Sequence, residues 1–186
     1  MSLEDFLNYD DGTDTLYELE DGRLRVMTVE SELNRLITSF LFAYFLQSGI
    51  PFSQLTMKTE VAVSGMRTTV RLPDLLVLTE ELVTAMAGSR RSLITLEMPP
   101  PQLAIEVVSP GRENTERDYR YKRSQYQARG ISEYWIVDPI QQQITVLSLI
   151  AGLYEEAILR GEEGIASPLL EELGGTLTVM QILAQS

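Results

Sequence analysis

Three side chains in this sequence have the types and surroundings to do chemistry together: Asp74, Glu106 and Lys122. Asp74 follows Pro73 and precedes the apolar run Leu75-Leu76-Val77-Leu78. Glu106 is the one charge within Leu103-Ala104-Ile105-Glu106-Val107-Val108, where burial is expensive unless something pairs with it. Lys122 falls in a helical segment four residues after Asp118, which puts the two on one face, with Gln125 and Arg129 near it. Two acids on neighbouring strands of one sheet could hold Mg²⁺, an ion that takes oxygen ligands and keeps waters. Such an ion polarises a phosphoryl oxygen and lowers the pKa of a bound water. A nearby lysine orients that water or stabilises developing negative charge. Each residue also has a plain structural reading. Asp74 can make a turn, Glu106 can pair with an arginine such as Arg71, and Lys122 can be a solvated helix cation.

Composition narrows the chemistry. The chain has no Cys, which excludes disulfides and thiolate metal sites, and no His, which removes imidazole as base or ligand. Any metal must then be a hard ion held by oxygen. The formal charge of −12 opposes a strong non-specific nucleic-acid binder. One local excess of basic residues stands out in 112–129: Arg112, Arg117, Arg120, Lys122, Arg123 and Arg129, against Glu113, Glu116 and Asp118. No apolar run approaches the roughly 20 residues of a membrane span. The N-terminus has neither a basic region nor a signal-like apolar core, so a cytoplasmic protein without membrane partners is expected.

The elements that must position these residues follow from pattern. The stretch 103–139 reads as a strand, a Pro110-Gly111 break, a helix over 115–129 closed by Gly130, and a strand ending at Asp138-Pro139. A helical crossover of this kind joins parallel strands. Upstream, Asp21-Gly22 marks a hairpin. Ser31 caps a helix over 33–47, whose stripe is Leu33, Leu36, Ile37, Phe40, Leu41, Tyr44 and Phe45. Near its start, Glu30 and Glu32 suit the helix dipole. Residues 54–63 alternate as one strand, 68–78 form a second strand broken at Pro73-Asp74, and 80–86 form a helix. Residues 90–101 read as loop, 143–149 and 153–160 as a hairpin, 161–175 as mostly loop, and 177–184 as a last helix. Tyr119, Tyr121 and Tyr126 are expected to pack their helix onto the sheet. The length of 186 residues suits one domain over 1–186, with residues 1–13 a frayed turn or short helix.

The order Pro73-Asp74 and then Glu106 in an apolar strand is similar to the PD-(D/E)XK nuclease superfamily. More narrowly, Glu106-Val107-Val108-Ser109-Pro110, then Asp118, Lys122 and Tyr126, then Glu133-Tyr134-Trp135-Ile136-Val137-Asp138-Pro139 resembles the Uma-two family of restriction-endonuclease-like proteins. The likeness runs from about Tyr17 to the C-terminus. It implies an α/β, restriction-endonuclease-like fold, with a central mixed β-sheet flanked by helices. It also implies a Mg²⁺- or Mn²⁺-dependent endonuclease acting on DNA. Asp74 and Glu106 would be its metal-binding carboxylates, Lys122 the catalytic amine, and Glu60 a further metal candidate. A homodimer with one site per strand is the assembly such folds commonly use. Two departures go with the likeness: Val108 stands where the superfamily has a lysine, and Leu33-Asn34 where the family often has a histidine. They leave a second reading, a nuclease-like fold serving as a non-catalytic binding or assembly module.

Overall fold

The computed structural model describes residues 1–185 apart from 28–30, 66 and 112–115. Glu30, Arg112, Glu113 and Thr115, singled out above, lie outside the described residues. The remaining residues form two mixed sheets with helices packed on them, so the expected central sheet is divided in two.

The first sheet begins with β1 (Tyr17–Glu20) and β2 (Arg23–Val26), joined at Asp21-Gly22. Both turn residues have positive φ, 48° and 77°, the twist that a two-residue hairpin needs. Four short strands come next along the chain: β3 (Leu55–Thr56), β4 (Glu60–Val63), β5 (Thr69–Arg71) and β6 (Leu75–Val77). After β7 (Leu93–Ile94), the long strands are β8 (Leu103–Val107), β9 (Glu133–Asp138), β10 (Gln143–Ile150) and β11 (Leu153–Arg160). Spatially, the five-stranded sheet runs β2-β1-β5-β4-β7 and the six-stranded sheet β11-β10-β9-β8-β6-β3. β8 and β9 are parallel and joined by a helical crossover, as the pattern requires.

The run at 54–63 is not one strand. Lys58 turns to φ 59°, so β3 stays in one sheet while β4 enters the other. The break at Pro73-Asp74 does the same for β5 and β6, because proline brings no N–H to a ladder. The short β7 lies within the expected loop at 90–101 and pairs with β4.

Six α-helices accompany the sheets among the described residues. α1 (Leu3–Leu7) has a capping box between Ser2 and Asp5 and buries Phe6, so this segment is anchored rather than frayed. α2 (Glu32–Gln47) is capped by the Ser31 hydroxyl and buries Ile37, Leu41 and Phe45. α3 (Glu80–Met86) follows β6. The crossover opens with a π-helical turn, Arg117–Lys122, and continues as α4 (Arg123–Arg129), ending at Gly130 in the left-handed region. α5 (Pro168–Glu172) occupies part of the expected loop at 161–175, with Ser167 as cap and proline in its first turn. α6 (Val179–Leu183) closes the chain. None of the helices is long and apolar enough to cross a membrane, among the described residues.

The six-stranded sheet separates two cores. Leu75, Val77, Leu103, Ile105, Trp135 and Val137 face α2. Leu76, Ala104, Val108, Tyr134 and Ile136 face Tyr126 of α4 and Leu82 of α3. The period of two along β6, β8 and β9 sorts adjacent residues onto opposite faces, as expected for Tyr134 and Trp135.

Candidate active site

That alternation decides where the acids point. β6 and β8 are antiparallel, with Leu75 opposite Ile105 and Leu76 opposite Ala104. Asp74 immediately precedes Leu75 and Glu106 immediately follows Ile105, so the two acids come together at one end of this strand pair. The Asp74 carboxylate also accepts a hydrogen bond from the Val107 N–H at 2.7 Å, tying the sheet crossing to the end of β8. Both acids line a cavity of about 560 Å³, together with Lys122 and Asp118.

Glu106 is buried, with 3% exposure, and both its oxygens are engaged. Oε2 lies 2.8 Å from Lys122 Nζ, and Oε1 accepts the Tyr126 hydroxyl at 2.7 Å. Lys122 is likewise buried, so it is no solvated helix cation. Its ammonium also reaches Asp118 Oδ1 at 3.1 Å and Glu18 Oε1 at 3.9 Å. The expected helix-face pair of Asp118 and Lys122 is thus present, and it is turned inward by the π-helical turn.

Glu18 was not apparent as a site residue from the sequence. It comes from β1, is fully buried, and accepts the Leu72 N–H at 3.0 Å while pairing with Arg71 at 3.0 Å. Arg71 also holds Glu20 at 2.9 Å and donates to Gln125 of α4 at 2.8 Å. The arginine named as a partner for Glu106 therefore serves Glu18 and Glu20 instead. This chain of ion pairs braces the hairpin of one sheet against the helix that carries Lys122. The only sequence signal for it was the placement of Glu18 and Glu20 two apart, hence on one side of their strand.

The charges respond to this crowding. Burial pushes the Glu106 carboxyl up to about 8; Lys122 works against that rise, and Asp74, Asp118 and Glu18 add to it. Burial opposes the charge of Lys122, but the carboxylates of Asp118, Glu106 and Glu18 more than offset it and raise its pKa. Burial also pushes against ionised Glu18, and Lys122 and Arg71 outweigh it, holding the carboxyl below its ordinary value of 4.5. One firmly charged ammonium thus faces several acids, and Glu106 is the acid left least compensated.

Other expectations fall elsewhere. Glu60 is clamped by Arg91, with both contacts at 2.6 Å, and lines a separate cavity beside Phe6, so it does not join Asp74 and Glu106. The described basic residues from Arg117 to Arg129 do not form one face. Lys122 points inward, Arg123 pairs with Glu156, and Arg129 donates to the carbonyls of Thr95 and Met98. Tyr126 packs on the sheet as expected, Tyr119 is half-buried, and Tyr121 is exposed, which corrects the expectation for that ring. Asn34, at the position where the family often has histidine, donates to the Val107 carbonyl and to Ser109 Oγ, both at 3.2 Å.

A hard divalent ion suits this donor set, since Asp74 and Glu106 are carboxylates on adjacent strands and Glu106 lacks full compensation. No group of three or more Asp, Glu, His or Cys with metal-holding geometry occurs among the described residues. Any such ion would rely on one or two carboxylates and water.

Comparison with known proteins agrees with this architecture. The model of the Uma2 family, described as "Putative restriction endonuclease", matches residues 3–180. The crystal structure of a "putative nuclease belonging to DUF820" from Anabaena variabilis ATCC 29413 is similar in fold. The TM-score is 0.75 at 13% identity, covering 100% of this chain and 98% of that one. No curated protein matches.

Proposed function

The chain belongs to the Uma2 family of restriction-endonuclease-like proteins, and from that premise we propose that it is a divalent-metal-dependent endonuclease that hydrolyses phosphodiester bonds of DNA. The observation that carries the reading is the meeting of Asp74 and Glu106 at one cavity, with Lys122 seated on Glu106 at 2.8 Å. Asp74 and Glu106 would hold Mg²⁺ or Mn²⁺, which supplies an activated water and polarises the phosphoryl oxygen. Lys122 keeps its proton at the floor of the cavity and offers a positive charge to the phosphate as negative charge builds there. Tyr126 fixes the rotamer of Glu106 through its hydroxyl. Asp118 and the Glu18–Arg71 pair hold the lysine in place. The test is cleavage of single-stranded DNA, and of plasmid and linear duplex DNA beside it, by the purified chain. Cutting should require divalent metal and vanish in Asp74→Ala and Glu106→Ala; equal cutting by those variants rejects the assignment.

One observation favours the alternative of a catalytically degenerate module. Lys122 and Tyr126 already occupy both oxygens of Glu106, and Val108 stands in place of the superfamily lysine. Under that reading Mn²⁺ leaves the melting temperature unchanged. A rise with Mn²⁺ that Glu106→Gln abolishes counts against it.

A further inference from the structure

The cavity that holds the acid pair is more than a floor of charges. Leu16, Val26, Met27, Met57 and Leu72 line it too, and Leu16, Val26 and Met57 are at least 36% exposed. Apolar side chains gathered at the solvent-facing wall of one cavity mark a ligand-binding or interaction site. Lys58 and Arg117 also line this space, and neither has an ion-pair partner among the described residues. Lys58 sits in the left-handed region at φ 59°, uncommon for a residue with a side chain, where the chain bends from one sheet to the other. Such outliers concentrate at ligand sites.

An apolar wall, an unpaired lysine and a charged floor in one space of about 560 Å³ match the parts of a nucleotide: base, phosphate and scissile bond. A duplex keeps its bases stacked inside, and a base enters such a pocket only when it is unpaired or swung out. Nothing among the described residues offers a duplex a basic track either. The basic residues after Arg117 point in different directions, and the net charge is −12. We infer that this cavity takes an unpaired nucleotide, so that the substrate class is single-stranded nucleic acid, with the base against Leu16, Val26 and Met57 and a flanking phosphate on Lys58. The inference rests on the nuclease reading for the role of the floor, and it names the substrate of that same site.

The test measures binding of short fluorescent oligonucleotides to the full chain with Ca²⁺ present: a deoxy single strand, the ribo single strand of the same sequence, and the deoxy duplex. The single strands should bind roughly tenfold tighter than the duplex. Lys58→Glu and Met57→Glu should each weaken single-strand binding by roughly fivefold or more without changing the melting temperature. The deoxy and ribo arms identify which strand the pocket takes. Duplex binding as tight as single-strand binding, no binding at all, or affinity indifferent to both variants overturns the inference. If the preference and both variant effects hold while no metal-dependent cleavage occurs, the nuclease reading alone has failed.

Discussion

Two buried glutamates on adjacent parallel strands meet opposite fates. Glu133 opens β9 and Glu106 nearly closes β8; with Leu103 paired to Glu133 and Glu106 to Ile136, they lie toward opposite ends of the strand pair. Glu133 accepts from Ser167 Oγ at 2.6 Å, from the Leu169 N–H at 2.7 Å and from the Trp135 indole at 3.2 Å. Its partners are neutral donors that belong to the fold, and they pin the cap of α5 to the sheet. Glu106 has an ammonium and a phenol as partners, three other acids within electrostatic reach, and an open cavity above it. Burial of a carboxylate is therefore no sign of function. The sign is a mismatch between the acids gathered and the cations supplied, at the carboxyl end of parallel strands, where α/β sheets place ligands.

The contrast can be broken most severely at the cavity. Glu106→Ala should lower metal-dependent cleavage by about a thousandfold, roughly 4 kcal/mol of barrier, whereas Glu133→Gln should leave the rate per folded molecule unchanged. Steady-state cleavage normalised to folded protein checks both. A comparable loss of rate in Glu133→Gln would erase the distinction.

Stability should sort the two glutamates the other way. Glu133→Gln sets an amide N–H₂ against donors it cannot accept from, and is expected to cost about 2–3 kcal/mol in urea unfolding. Glu106→Gln exchanges a carboxyl that burial already holds largely neutral near pH 7 for an amide whose oxygen can still accept from Lys122, so it should cost less than about 1 kcal/mol or be neutral. A larger loss for Glu106→Gln would make it the structural residue of the two.

The smallest effect sharpens the comparison through pH. Glu18 has a folded pKa below its ordinary 4.5, so its contribution is present above 4.5 and is lost as pH falls through the folded value. Glu18→Gln should lose about 1–2 kcal/mol at pH 7 and less at lower pH, so the acid side of its stability profile is flatter than that of the parent chain. Urea midpoints between pH 7 and pH 3 provide the check. Parallel profiles would mean that Glu18 is not ionised in the fold.

Much of this was legible beforehand. The hairpin at Asp21-Gly22, the helix capped by Ser31 and the strand–helix–strand crossover follow from turn chemistry and periodicity, and all three are present. The division into two sheets was not legible. It depends on Lys58 adopting a positive φ, which no residue-type preference announces, and on Pro73 ending one ladder as the next begins. At the site, an acid inside an apolar strand pointed to Glu106. Nothing local distinguished Glu60 from a ligand, because its clamp, Arg91, lies 31 positions away. Glu18 was hidden for a similar reason: its partners Arg71 and Lys122 come from a different strand and from the crossover helix.

The wide turn at Arg117–Lys122 has a consequence for how this protein tolerates change. A π-helical stretch holds more residues per turn than an α-helix, so the count of residues between Asp118 and Lys122 sets their mutual orientation. Exposed Tyr121 can then vary in identity, whereas loss of one residue there would tighten the coil and re-aim Asp118 and Lys122 relative to β8. Insertions and deletions in this short window therefore join substitution of Asp118 or Lys122 as genetic changes to which the centre is sensitive.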